Sequence, residues 1–253
     1  MNIVLSTLFL HNAFLIPSWV EYHTSLGVDY FYLYYHGKIN DDLISLTSNY
    51  QNVELIEWDV GHDNAWGYAQ ESQLWHTAAK AKNNFNWVGN FDLDEFIILN
   101  DVSNIKDFLS VFDLQKDFYL KFGCKWSKLK GLPNKKYLEM KIKDFMNYDT
   151  IISHDSHDGR GINDAGLGKY IYNIDLLRGR ALLDIHNINL GHPYFSEQYP
   201  EVRCHEVANQ AYYNHYKKDY TNRNGIWEFY DWALDGMKCQ KKVNNRIKEL
   251  IDV

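Results

Sequence analysis

Between Asn2 and Leu10 apolar and β-branched side chains run almost unbroken, the pattern of a strand buried on both faces. Pro17 then falls where the first turn of a helix tolerates a missing N–H, and Gly27 where a helix stops. Between them Ile16, Trp19, Val20, His23 and Leu26 share one helical face. Tyr30–Tyr35 is a short aromatic run that suits a strand. The spacing further predicts a helix over Asp41–Ser48, a strand over Val53–Trp58, a helix over Gln70–Lys82 and a strand over Trp87–Phe91 that delivers Asp92. Strands alternating with helices imply a parallel sheet with crossover helices. Such sheets take their ligands at the carboxyl ends of the strands, and Asp92 stands at one.

Beyond Ile98 the rhythm changes. Ile105–Phe112 reads as a helix, Phe118–Phe122 and Leu138–Phe145 as strands, and Lys169–Ile174 with Arg180–Ile185 as a strand pair around a turn. A strand over Val207–Tyr213 is expected to end just before His215, and helices over Ile226–Leu234 and Asn244–Ile251. His154–Gly168 is a polar, glycine-rich loop too long to be a mere connection. Its glycines are not a P-loop, because no G-K-[ST] follows them. No repeat and no linker-like tract divides the chain. A single domain over 1–253 is therefore expected.

Composition narrows the partners more than the fold. The 253 residues carry 26 Lys and Arg against 33 Asp and Glu, a net charge of −7. No overall basic face is offered to nucleic acid, so no nucleic-acid partner is expected. The lysines between 125 and 136 read as a solvated face. The three cysteines, Cys124, Cys204 and Cys239, are too few and too scattered for a disulfide framework or a zinc set. They fit a reducing compartment, and a cytoplasmic location is expected, with room for peripheral attachment at the inner face of a membrane. The apolar N-terminal stretch lacks a basic flank and is interrupted by Asn12 and Pro17. It reads as strand, loop and helix rather than a signal peptide or an integral membrane span.

Chemistry concentrates in Trp87-Val88-Gly89-Asn90-Phe91-Asp92-Leu93-Asp94-Glu95-Phe96. In extended backbone Asp92 and Asp94 would point to one face. Two adjacent carboxylates repel unless a cation sits beside them, and hard oxygen ligands suit Mg²⁺ or Mn²⁺ that also hold phosphate oxygens.

This block resembles the W-x-x-x-x-D-x-D-E-F signature of the family 2-like and family 92-like glycosyltransferases. The stretch from Asn12 through Trp19, Tyr22, His23, Leu26, Gly27 and Asp29 to Tyr34 is similar to that family's opening. Gln70 or Gln73, Phe122-Gly123, Lys169-Tyr170-Ile171 followed by His186, and Asn214-His215-Tyr216 match its later blocks in order. The resemblance implies a GT-A fold, an α/β Rossmann-like mixed sheet flanked by helices. It also implies a nucleotide-sugar donor held by the half 1–100, a glycan or lipid-linked saccharide acceptor held by the half 101–253, and Mn²⁺ or Mg²⁺ as cofactor. Carried over, Asp92 and Asp94 are metal ligands with His215 or His186 completing the set. His215 is favoured because Asn214 and Tyr216 flank it and two lysines follow. The donor-binding set is Asn12, Tyr35, Gln73, Asp92, Lys217 and Lys218.

An inverting transfer needs a carboxylate to take the acceptor's proton. Asp155, Asp158 and Asp164 in the polar loop and Glu206 beside His205 are the candidates, and the sequence does not choose among them. The expected function is metal-dependent glycosyl transfer with inversion. Ala13 and Tyr35–Lys38 depart from the family pattern and motivate one alternative, a catalytically silent sugar- or nucleotide-binding protein. The acidic and histidine clusters motivate another, a metal-dependent phosphohydrolase.

Overall fold

The computed structural model describes residues 1–10, 12–59, 66–128, 151–154, 168–177, 182–183, 188–189 and 202–217. In chain order the elements are β1 (Ile3–Phe9), α1 (Ile16–Ser25), β2 (Tyr30–Tyr35), α2 (Asp41–Thr47), β3 (Val53–Glu57), α3 (Trp66–Ala81), β4 (Trp87–Asn90), β5 (Glu95–Leu99), α4 (Ile105–Leu109), β6 (Asp117–Lys121), β7 (Gly123–Lys128), β8 (Ile151–His154), β9 (Tyr170–Asn173), β10 (Leu182–Leu183), β11 (Ile188–Asn189), β12 (Arg203–Glu206) and β13 (Ala211–Lys217). The expected strand at 138–145, the helices beyond 225 and most of the glycine-rich loop lie outside the described residues.

Seven strands form the main sheet in the order β12-β6-β9-β4-β1-β2-β3. The neighbours β3, β2, β1 and β4 are all parallel, as their alternation with helices predicts. Only β9 runs against the rest, wedged antiparallel between β4 and β6, while β12 joins β6 in parallel at the edge. The sheet is mixed and helices cover both faces. Ile3, Leu5, Phe9, Phe31 and Leu33 pack with α1, α2 and α4. Val4, Leu8, Tyr32, Tyr34 and Val88 pack with Ala69, Leu74, Ala78 and Ala81 of α3. No helix among the described residues is long and apolar enough to cross a membrane.

Local chemistry explains the element ends. Asn40 and Asn104 cap α2 and α4, their side chains accepting from Leu43 N–H and Lys106 N–H. Gly27 follows α1 at φ 101°, where a Cβ would lie within 2.9 Å of the Asn104 side chain. Only glycine serves that turn.

Three local expectations need correction. Asp92 to Glu95 is not extended: Glu95 N–H donates to Asp92 O at 2.9 Å, closing a turn, and a new strand starts at Glu95. The residues Lys169–Ile174 do not pair with Arg180–Ile185. β9 joins the main sheet, where all four of its residues are buried, and Leu182–Leu183 pairs with Ile188–Asn189 instead. The strand expected over Val207–Tyr213 starts four residues later, because Gln210 and Ala211 N–H both donate to Val207 O in a turn. His215 therefore sits inside β13 and not beyond its end.

A second sheet has the order β5-β13-β7-β8. β13 lies antiparallel to β5, which places His215 opposite Glu95.

Candidate active site

β5 leaves the acidic turn as the edge strand of the second sheet, and α1 satisfies its outer backbone groups. Trp19 Nε1–H donates to Glu95 O at 3.0 Å, Tyr22 O–H donates to Ile97 O, and Ile97 N–H donates to His23 Nε2 at 3.3 Å. His23 Nδ1 lies 2.9 Å from Trp19 O. One ring nitrogen must donate and the other accept, so this imidazole is neutral. Burial holds its pKa down to about 3, against the hydrogen bond to Trp19. The Trp19, Tyr22 and His23 of the N-terminal block thus brace the strand that begins at Glu95.

The turn itself is a cluster of charge at the carboxyl edge of β4. Glu95 Oε2 accepts from Asp92 N–H at 2.8 Å. Lys169 arrives from the residue before β9, its Nζ 3.2 Å from Asp92 Oδ2 and 3.5 Å from Glu95 Oε2. Its side chain has 0% exposure and that of Glu95 1%. Burial disfavours the ammonium, but Asp92 and Glu95 outweigh it and hold Lys169 above the ordinary lysine value. Burial pushes the Glu95 carboxyl up to about 7, against the pull of Lys169. His215 Nε2 lies 3.5 Å from Asp94 Oδ1, and its Nδ1 lies 3.7 Å from Glu95 Oε1. Burial would lower the imidazole's pKa, but Asp94, the buried Cys124 thiol and Glu95 together raise it well above the ordinary histidine value.

Asp94 and His215 are the two groups of this turn that could hold a divalent ion between them. Two ligands about 2.1 Å from one cation lie roughly 3 to 3.5 Å apart, and Asp94 Oδ1 and His215 Nε2 stand 3.5 Å apart. No group of three or more His, Cys, Asp or Glu converges as a complete cage among the described residues. The remaining positions would fall to phosphate oxygens and water, as is usual for Mg²⁺-type sites.

The other sequence candidates divide by place. Tyr35 ends β2, its ring 5.3 Å from that of Phe9. Asn12 follows β1 in the left-handed region at φ 65°. Both stand at the same carboxyl edge as Asp92. Gln73 does not: it is buried on α3, where its Nε2 donates to Thr77 Oγ1 at 2.8 Å, which donates in turn to Tyr34 O–H. Its Nε2 is engaged inside the helix–sheet contact. Glu206 ends β12, three strands from β4, roughly 14 Å away at about 4.8 Å per strand. Lys217 ends β13. Asp155, Asp158, Asp164, His186 and Lys218 lie outside the described residues. Sequence reasoning gave no role to Glu95 or Lys169, although both stand in the quoted blocks. A buried lysine is visible only once the fold has closed over it.

The family model for glycosyltransferase family 92 matches residues 4–251. The chain belongs to this family. A family 92 protein of Arabidopsis thaliana is 33% identical over 93 residues, 36% of this chain and 15% of the relative. One of Oryza sativa is 26% identical over 112 residues, 43% of this chain and 18% of the relative. The aligned chain thus spans less than a fifth of the length of either relative. Among solved structures, a galactosyltransferase in complex with donor and acceptor sugar analogues aligns at 12% identity over 97% of this chain and 96% of its own, with a TM-score of 0.41. Glucosyl-3-phosphoglycerate synthase of Mycobacterium tuberculosis, bound to Mn²⁺, UDP and phosphoglyceric acid, aligns at 13% identity over 99% and 77%, with a TM-score of 0.43.

Proposed function

We propose that this family 92 chain is a metal-dependent glycosyltransferase. It moves a sugar from a nucleotide-sugar donor to a glycan or lipid-linked acceptor with inversion. The observation that carries this reading is the acidic turn at the carboxyl edge of β4, with Asp94 and His215 separated by a distance one cation bridges. Ligands of open parallel sheets bind at that edge. Asp94 and His215 would hold Mn²⁺ or Mg²⁺, and the ion would supply positive charge to the diphosphate as it leaves. Asp92, one-third exposed and hydrogen-bonded to Lys169, presents its carboxylate to the donor from the same turn. Asn12 and Tyr35, at the ends of the neighbouring strands, flank the place a nucleotide would occupy. The acceptor's proton goes to a carboxylate from the polar loop, with Asp155, Asp158 and Asp164 as the candidates. Glu206, at the end of β12, is a fourth candidate from another part of the chain.

The test is a panel of nucleotide sugars scored for Mn²⁺-dependent donor cleavage. A transferase slowly cleaves one of them and stops in excess chelator. Retention of the nucleotide sugar without cleavage would favour a silent binder. Phosphate release from simple esters would favour a phosphohydrolase.

A further inference from the structure

Glu95 holds two groups and faces a third while almost wholly buried. Its Oε2 accepts the Asp92 N–H at 2.8 Å and lies 3.5 Å from Lys169 Nζ, and its Oε1 faces His215 Nδ1 at 3.7 Å. Lys169 has the complementary reach, donating to Asp92 Oδ2 at 3.2 Å. With exposures of 1% and 0%, neither side chain can meet a donor at the surface of the edge. Burying such a pair is not an efficient way to gain stability, because the desolvation of two charges consumes most of their attraction, and an uncharged pair of similar volume often serves as well.

We infer that Glu95 and Lys169 are a positioning pair: together they fix the Asp92 carboxylate and aim the His215 imidazole so that its Nε2 faces Asp94. The inference rests on the glycosyltransferase reading of this site. A carboxylate behind the distal nitrogen of a metal-binding histidine orients the ring, and losing such a partner commonly weakens metal binding about 10- to 100-fold. Glu95, the residue directly after Asp94, takes that place through its charge at 3.7 Å, beside the Cys124 thiol that hydrogen-bonds the same ring. Lys169 fixes the other end of the turn from a different strand. The main sheet, through β9, and the second sheet, through β13, are thereby tied to one four-residue turn.

The experiment is titration of the full chain with MnCl₂ alone, following the electron paramagnetic resonance signal of free Mn²⁺, beside a thermal melt. The chief variant is the double substitution Glu95→Gln, Lys169→Met. At pH 8.5, above the Glu95 carboxyl's value, it removes one negative and one positive charge, so the net charge beside the metal is unchanged and Coulomb attraction alone leaves affinity where it was. Positioning predicts a cooperative melt with Mn²⁺ binding weakened at least tenfold. Wild-type affinity in the folded double variant overturns the inference and leaves the glycosyltransferase reading standing. If the wild-type chain takes up no Mn²⁺ either alone or with UDP present, that reading falls and the inference with it. Should the double variant fail to fold, Lys169→Met alone decides by sign. Deleting a positive charge beside a cation site tightens binding by Coulomb's law, whereas loss of positioning loosens it, and tighter binding overturns the inference.

Discussion

At the scale of single residues, His23 shows how a buried polar group ties stability to pH. Its ring spends its one proton on Trp19 O and its lone pair on Ile97 N–H, so the native state excludes a second proton. The unfolded chain binds that proton below about pH 6.5, and the native imidazole does so only near 3. Between those values the unfolded state holds more protons, so stability is full above pH 6.5 and declines as pH falls towards 3. The slope from this group is about 1.4 kcal/mol per pH unit. Urea denaturation across that window should show the slope in the wild type and its loss in His23→Gln, whose amide can both donate and accept. Equal slopes would mean that His23 is not the titrating group. The metal ligands make a second prediction at this scale. Asp94→Ala should abolish turnover with the fold intact, and His215→Ala should weaken Mn²⁺ binding at least tenfold in the presence of nucleoside diphosphate. If His186→Ala has that effect and His215→Ala has none, the two histidines exchange roles.

At the scale of elements, the alternation of strands and helices to residue 91 was readable because each strand is either apolar on both faces or bounded by turn residues. The acidic turn was not readable as a turn. A D-x-D on extended backbone and one in a hydrogen-bonded turn have the same spacing, and the difference lies in the Glu95 side chain folding back on Asp92 N–H. Nor did the pattern of Lys169–Ile174 show that its partners are β4 and β6, since a short buried strand has no mark that says which neighbours it takes. The helical face of α1 was visible, but its purpose was hidden. Trp19, Tyr22 and His23 pack as hydrophobes and also close the open edge of β5, whose backbone groups would otherwise be buried without partners. Trp19→Phe strips the N–H from Glu95 O and replaces the bicyclic indole by a single ring. In urea denaturation the unpaired buried acceptor should cost about 1–3 kcal/mol, with the small cavity left at this fully buried site adding to it. An unchanged midpoint would show that the strand edge finds water or another donor.

At the scale of the whole molecule, the site belongs to no continuous half of the chain. Asp92, Asp94 and Glu95 come from the link between β4 and β5, Lys169 from the start of β9, and His215 from β13, so 123 positions separate Asp92 from His215 in sequence. The expectation that residues 1–100 act as the nucleotide-sugar-binding half can be tested against that assembly. In a fragment ending at residue 100, β4 would lose β9 and β5 would lose β13, exposing the edges of two strands whose side chains are all buried. Phe91, which packs edge-on against Phe122 and Tyr213, would lose both rings. The four parallel strands β1–β4 alone would therefore stand with a new open edge at β4 besides that of β3, and with an unsupported acidic turn, a template for aggregation. The turn would also lack the Lys169 ammonium, leaving Asp92 and Glu95 to repel each other. The 1–100 fragment should show no cooperative thermal transition and no measurable Mn²⁺ uptake. The full chain should melt in one transition whose midpoint rises with Mn²⁺, by about 2.7 kcal/mol of added stability at 100 times the dissociation constant. A fragment that melts cooperatively and binds Mn²⁺ as the full chain does would show that the first hundred residues are a self-sufficient binding unit, and that Lys169 and His215 contribute nothing to the metal site.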